Sequence, residues 1–169
     1  MNISLVIKNT DETEKFALAC KDLCLPGSVF ALEGNLGSGK TYLTQKIGHV
    51  LGIQASITSP TYPLIQEYIL GNLSFCHMDW YRLSGEDEVW EIGAHDYFFP
   101  PWITFIEWPS KSWNSLPEHA HKLYLTVTES SMRQITIQPA SSNIKQTWAE
   151  ALEKTGFQMD QNNEYTFHP

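Results

Sequence analysis

The stretch 28-SVFALEGNLGSGKTYLTQKIGHVLG-52 holds the pattern from which the fold can be predicted. Gly34 to Thr41 fit the motif G-x-x-x-x-G-K-[ST] without a mismatch. Residues 28–33 are short, apolar and strand-like, and residues 40–51 carry apolar side chains at helical spacing before a glycine. A strand, a glycine-rich loop and a helix in that order are the context in which this motif binds phosphate.

This loop predicts a nucleotide-binding site. Its glycines let successive backbone N–H groups turn inward around phosphate oxygens, where a Cβ would collide. The helix that begins near Lys40 points its positive end at the same place. Lys40 is expected to reach the β- and γ-phosphates, and the Thr41 hydroxyl to bind Mg²⁺. The loop residues predicted to bind the nucleotide are Asn35, Leu36, Gly37, Ser38, Gly39, Lys40 and Thr41.

Two acidic residues at strand ends are candidates for a role beside the metal. Asp79 follows the apolar run 73–78, and Glu107 ends the run 102–107. A phosphate-binding loop of this type needs a carboxylate on a neighbouring strand to hold Mg²⁺ and orient water. His77 lies on the same strand face as Asp79, but these two side chains are too few for an independent metal site.

A hydroxyl-rich loop follows the predicted helix after the motif. Thr58, Ser59 and Thr61 flank Pro60, and such a stiffened loop can sense a γ-phosphate in the way switch loops do. Taken alone, however, the residues favour an ordinary polar loop.

The rest of the chain predicts strands and helices in one domain. The expected fold class is α/β, a P-loop NTPase-like three-layer sandwich whose mixed sheet has a parallel core and antiparallel hairpins. Residues 1–140 are expected to form the ATPase part and residues 141–169 a C-terminal helical extension. Three further helices are expected: a first helix with a capping signature at Asp11 and Glu14, a short helix capped by Ser84, and a terminal helix over 143–154. Hairpins are expected at 62–78 and 122–138. The final dozen residues are expected to be loose, and His119 and His121 are expected to be exposed.

Composition excludes several classes of protein. The 169 residues carry a net charge of −8 and only two arginines, Arg82 and Arg133, which argues against direct binding to nucleic-acid phosphates. Three cysteines cannot build a disulfide framework. The first residues lack a secretory signal pattern, and no apolar run approaches the length of a membrane span. A cytoplasmic location without membrane contact is therefore expected.

Five motifs in order carry a resemblance to a known family. GNLGSGKT, TSPTYPL, HMDWYRL, the E-x-x-x-x-G-x-x-D-Y run from Glu88 to Tyr97, and FIEWP are similar to the TsaE family. These are bacterial P-loop ATPases of tRNA threonylcarbamoyladenosine biosynthesis. The resemblance spans roughly residues 10–138 and implies that the 58–61 loop is a switch.

The resemblance also implies roles for residues and partners. Members are accessory proteins that act with the TsaB–TsaD heterodimer, and their ATP turnover resets that assembly while tRNA is contacted only indirectly. The implied ligands are ATP and Mg²⁺. The implied residues are Lys40, Asp79 and Glu107 for catalysis; Thr41, Glu107 and Asp79 at the metal; Thr58, Ser59, Thr61 and Trp108 beside the nucleotide; and Thr10 and Arg133 near its base.

Three other classes of function share a glycine loop of this type or the ability to bind a nucleotide. A small-molecule P-loop kinase would use many arginines to hold several phosphates, and this chain has two. A GTPase would carry an N-K-x-D motif, which the sequence lacks. A non-catalytic nucleotide-binding adaptor remains open, because it differs only in whether the γ-phosphate is cleaved.

Overall fold

A computed structural model describes residues 2–168, and within them the chain forms four α-helices and one nine-stranded sheet. The helices are α1 (Thr10–Lys21), α2 (Lys40–Val50), α3 (Glu86–Glu91) and α4 (Ser142–Lys154). The strands are β1 (Ile3–Ile7), β2 (Val29–Glu33), β3 (Ile65–Leu70), β4 (Leu73–Asp79), β5 (Trp102–Glu107), β6 (His121–Val127), β7 (Arg133–Gln138), β8 (Phe157–Met159) and β9 (Glu164–Phe167).

The sheet has the order β3-β4-β5-β2-β6-β7-β1-β9-β8. Strands β4, β5, β2 and β6 run parallel, and the β3–β4, β6–β7 and β8–β9 pairs are antiparallel hairpins. Helices α1, α2 and α4 pack on one face, where Phe30, Phe75 and Phe105 are buried. Helix α3 and a 3₁₀ turn over 94–98 cover Met78 and Ile106 on the other face. This arrangement confirms the predicted fold class.

The register of the parallel strands determines where the site can form. Asp79 at the end of β4 pairs with Glu107 at the end of β5, and Glu107 also pairs with Leu32 of β2. Because these strands are parallel, their carboxyl ends meet at one edge of the sheet, beside the loop that leads into α2. Among residues 2–168, no helix has the length and apolarity needed to cross a bilayer.

The helix caps differ from the sequence expectation. Helix α1 is capped by Asn9, whose Oδ1 accepts from the Glu12 backbone N–H at 2.9 Å, so the capping pair begins two residues earlier than Asp11. The Glu12 carboxylate accepts in turn from the Lys8 backbone N–H. The N-cap of α3 is Gly85 rather than Ser84, whose own N–H donates to the side chain of Glu88.

The C-terminal region is more ordered than its sequence predicts. Residues 157–167 are not loose, because β8 and β9 form a hairpin and β9 pairs in parallel with β1. Phe157 and Tyr165 of this hairpin are buried in the core. The region after 140 is thus a helix followed by two strands of the same sheet, and the boundary at 140 itself stays a prediction. The expectations for residues 1 and 169 lie outside the described residues.

His121 was expected to be exposed but is buried at the start of β6. Its ring stacks on Phe30 with centroids 4.7 Å apart, and its Nδ1 accepts from the Trp148 indole N–H at 3.2 Å. Burial, together with the nearby charge of His119, lowers the pKa of His121 from 6.5 to about 4. The folded protein therefore keeps this imidazole neutral at pH values where the unfolded chain protonates it.

We predict that His121 makes the protein less stable in mild acid. Since the unfolded chain binds more protons between pH 6.5 and about 4, the stability from this residue is complete above pH 6.5 and is lost as the pH falls through that window. Between pH 7 and 5 the loss should be about 2 kcal/mol. Urea unfolding of the wild type and of His121→Phe at both pH values measures it, and equal pH dependence in the two proteins would contradict the prediction.

Candidate functional site

The glycine loop, residues 34–41, connects β2 to α2 in a conformation that requires glycine. Gly37 and Gly39 have φ of +79° and +101°, and Gly39 is the N-cap of α2. At Gly34 a Cβ would lie 2.2 Å from the backbone oxygen of Leu125 in β6. The loop therefore passes so close to the sheet that side chains are excluded at this point, and the amino end of α2 opens onto the carboxyl edge of the sheet.

Lys40 is folded over this loop. Its Nζ donates to the backbone oxygens of Gly34 and Asn35 at 2.6 and 3.2 Å and lies 3.9 Å from the centroid of the Trp108 ring. Burial lowers the pKa of Lys40, while the nearby carboxylates, Glu107 foremost, act in the opposite direction. The ammonium group of Lys40 thus lies at the amino end of α2 and points towards the backbone oxygens of the loop.

Glu107 connects three elements at the edge of the sheet. Its Oε1 accepts from the Thr41 hydroxyl of α2 at 2.7 Å and lies 2.9 Å from Nε2 of His77 on β4. Both His77 and Glu107 are buried. Sequence reasoning placed His77 beside Asp79 but missed its contact with Glu107, because that partner lies thirty residues away in the chain.

Asp79 anchors the hydroxyl-rich loop. Its Oδ2 accepts from the hydroxyls of Ser59 and Thr61 at 2.7 and 2.9 Å, and its Oδ1 accepts from the Tyr81 backbone N–H at 3.0 Å. Thr58 is exposed and makes none of these contacts. Two of the three predicted loop hydroxyls therefore converge on one of the two predicted acids.

These residues surround a cleft of about 660 Å³. Thr10 lines an adjoining cavity of about 300 Å³, which shares Gly39, Tyr42 and Arg133 with the cleft. Of the other predicted residues, Asn35, Ser38 and Thr58 line neither space. The cleft is lined by Leu36, Gly37, Gly39, Lys40, Thr41, Tyr42, Ser59, Thr61, Asp79, Tyr81, Arg82, Glu107, Trp108 and Arg133.

The oxygen atoms in this cleft suit a magnesium nucleotide. Mg²⁺ at nucleotide sites takes one or two protein oxygens and completes its shell with phosphate and water. The Thr41 hydroxyl and the Glu107 carboxylate supply such oxygens side by side, and Asp79 adds a second carboxylate on the neighbouring strand. The donor set therefore fits the predicted metal.

A family model described as "Threonylcarbamoyl adenosine biosynthesis protein TsaE" matches residues 7–135. The chain belongs to the TsaE family. The match to the TsaE model includes every predicted site residue from Thr10 to Arg133 and leaves α4, β8 and β9 outside it. This result confirms the resemblance found in the sequence.

Relatives and a solved structure agree with membership in TsaE. The tRNA threonylcarbamoyladenosine biosynthesis protein TsaE of Bacillus subtilis is 35% identical over 76% of this chain and 80% of its own. The protein of that name from Treponema pallidum is 34% identical over 78% of this chain and 97% of its own. The crystal structure of Bacillus subtilis YdiB superposes with a TM-score of 0.77 at 26% identity, covering 91% of this chain and 96% of that one.

We predict that the double variant Ser59→Ala, Thr61→Val loosens the 58–64 segment. It removes two hydrogen bonds to a carboxylate, which should lower the free energy of opening by about 1–2 kcal/mol and speed hydrogen exchange roughly 5- to 30-fold. The amide of Leu64, which donates to the Pro60 oxygen at 2.7 Å, reports this opening. Thr128→Val, at a distant turn, is the control, and unchanged exchange at Leu64 would show that Asp79 does not hold the loop.

Proposed function

We propose that this protein binds ATP with Mg²⁺ in the cleft, hydrolyses it, and thereby serves tRNA threonylcarbamoyladenosine biosynthesis together with the TsaB–TsaD heterodimer. Family membership supports the role in that biosynthesis. The nucleotide chemistry is supported by the convergence of Lys40, Glu107 and Asp79 on one cleft beneath the amino end of α2.

Each side chain has a distinct task in this proposal. The backbone N–H groups of the glycine loop bind phosphate oxygens, and Lys40 exchanges the carbonyl oxygens of Gly34 and Asn35 for the β- and γ-phosphates. Thr41 and Glu107 hold Mg²⁺, which neutralises charge on the phosphates when bound. Asp79 orients the attacking water and keeps Ser59 and Thr61 close to the cleft.

The same geometry couples the nucleotide site to the protein surface through the loop that carries Ser59 and Thr61. Ser59 and Thr61 line the cleft while Tyr62, on the same loop, is 75% exposed. A γ-phosphate that draws the loop hydroxyls away from Asp79 changes the surface that TsaB–TsaD meets, and hydrolysis restores it. Partner affinity is then set by the state of the nucleotide.

We predict that Lys40→Ala reduces ATP hydrolysis by at least about 100-fold without unfolding the protein, because it removes a charge that acts on the phosphates. Phosphate release should be measured with and without TsaB–TsaD. Lys46→Ala is the matched control, since Lys46 lies on the same helix but pairs with the exposed side chain of Glu14. An unchanged rate in folded Lys40→Ala would refute ATP hydrolysis at this cleft, and binding without phosphate release in the wild type would identify an adaptor.

We also predict that isolated tRNA binds weakly even at low salt. Non-specific affinity for nucleic acid comes mainly from cations that neutralise phosphates, and this chain carries a net charge of −8. Titration of labelled tRNA with the purified protein tests this. Micromolar or tighter binding that weakens with added salt would mean that the protein contacts tRNA directly.

A further inference from the structure

His77 occupies a position where an apolar side chain would be expected. It lies on the face of β4 that carries Phe75 and is paired in register with Phe105 of β5. The rings of Phe75 and Phe105 stack with centroids 5.1 Å apart, and the His77 side chain is completely buried. Burial of an imidazole beside two phenyl rings costs stability unless its ring nitrogens find partners.

Only one nitrogen of this imidazole is satisfied by residues 2–168. Nε2 lies 2.9 Å from Glu107 Oε1, whereas Nδ1 is buried with no hydrogen-bond partner in the described chain. An ionised carboxylate only accepts hydrogen bonds, so Nε2 carries the hydrogen and donates it to Glu107. The polar contact that offsets the burial of His77 is therefore its contact with Glu107.

The two hydrogen bonds to the Glu107 carboxylate fall on the same oxygen. The Thr41 hydroxyl and His77 Nε2 both donate to Oε1, and no hydrogen bond from residues 2–168 reaches Oε2. Glu107 lines the cleft. One oxygen is thus held by a strand and a helix while the other remains available for a ligand.

We infer that His77 is a positioning residue, which fixes the Glu107 carboxylate so that its free oxygen is presented to Mg²⁺. The inference rests on the proposed function. Thr41 is itself assigned to the metal, whereas His77 lies on β4 and is not among the residues that line the cleft. Groups that orient a metal ligand in this way typically contribute 10- to 100-fold in metal affinity.

The test compares binding of the non-hydrolysable analogue AMP-PNP with Mg²⁺ and with EDTA, by calorimetry on the full chain. His77→Phe keeps a ring in the core and removes the donor, while His77→Gln places an amide N–H near the former Nε2. Cys76→Ala is the matched control, because Cys76 is buried on the same strand but faces the opposite side of the sheet.

The expected result separates a positioning role from a purely structural one. His77→Phe should weaken binding about 10- to 100-fold in Mg²⁺ and leave binding in EDTA within about threefold, with His77→Gln recovering most of the loss. Wild-type affinity of His77→Phe in Mg²⁺, or an equal loss in EDTA, would overturn the inference. If His77→Phe does not fold, His77→Asn, whose amide is too short to reach Glu107, replaces it in the same comparison.

Failure of the proposed function gives a different result. Wild-type protein that binds no AMP-PNP in Mg²⁺ would overturn both the function and the inference. Wild-type protein that binds it in a Mg²⁺-dependent way, with His77→Phe unchanged, would overturn the inference alone.

Discussion

The buried carboxylate of Glu107 is the group on which the site depends. It ends the β5 strand, accepts from Thr41 at the start of α2, and accepts from His77 on β4. A carboxylate this deeply buried is stable only when its hydrogen bonds are made. The hydrogen bonds of this one carboxylate thus join a helix and two strands at the edge of the cleft.

Asp79 performs a related task one strand away. It is also buried, but its hydrogen bonds go to a loop rather than to a helix. Glu107 is bound to a helix and a strand, whereas Asp79 is bound to a loop in which Thr58, Tyr62 and Pro63 are exposed. In the proposed function this difference gives the two acids different roles: Glu107 fixes the geometry of the metal site, and Asp79 couples the cleft to the surface.

The charged residues at the cleft differ from those of the chain as a whole, which is acidic. Lys40 is held where burial disfavours its charge, and the carboxylates around it, Glu107 foremost, favour that charge. The cleft is lined by the cations Lys40, Arg82 and Arg133 and by two carboxylates, while the whole chain carries a net charge of −8. Such a distribution suits a small polyphosphate in a cleft better than a long phosphate backbone on the surface.

The sequence by itself determined the glycine loop, the mixed sheet and the two strand-end acids, because each follows from a local pattern of glycines, apolar residues or strand length. It could not place the cap of α1 two residues earlier, the β8–β9 hairpin, or the burial of His121. Only the tertiary structure decided that His77 meets Glu107 and that Ser59 and Thr61 meet Asp79. Those contacts join residues about twenty or thirty positions apart, and they exist because the register of parallel strands and the path of one loop bring the side chains to the same edge of the sheet.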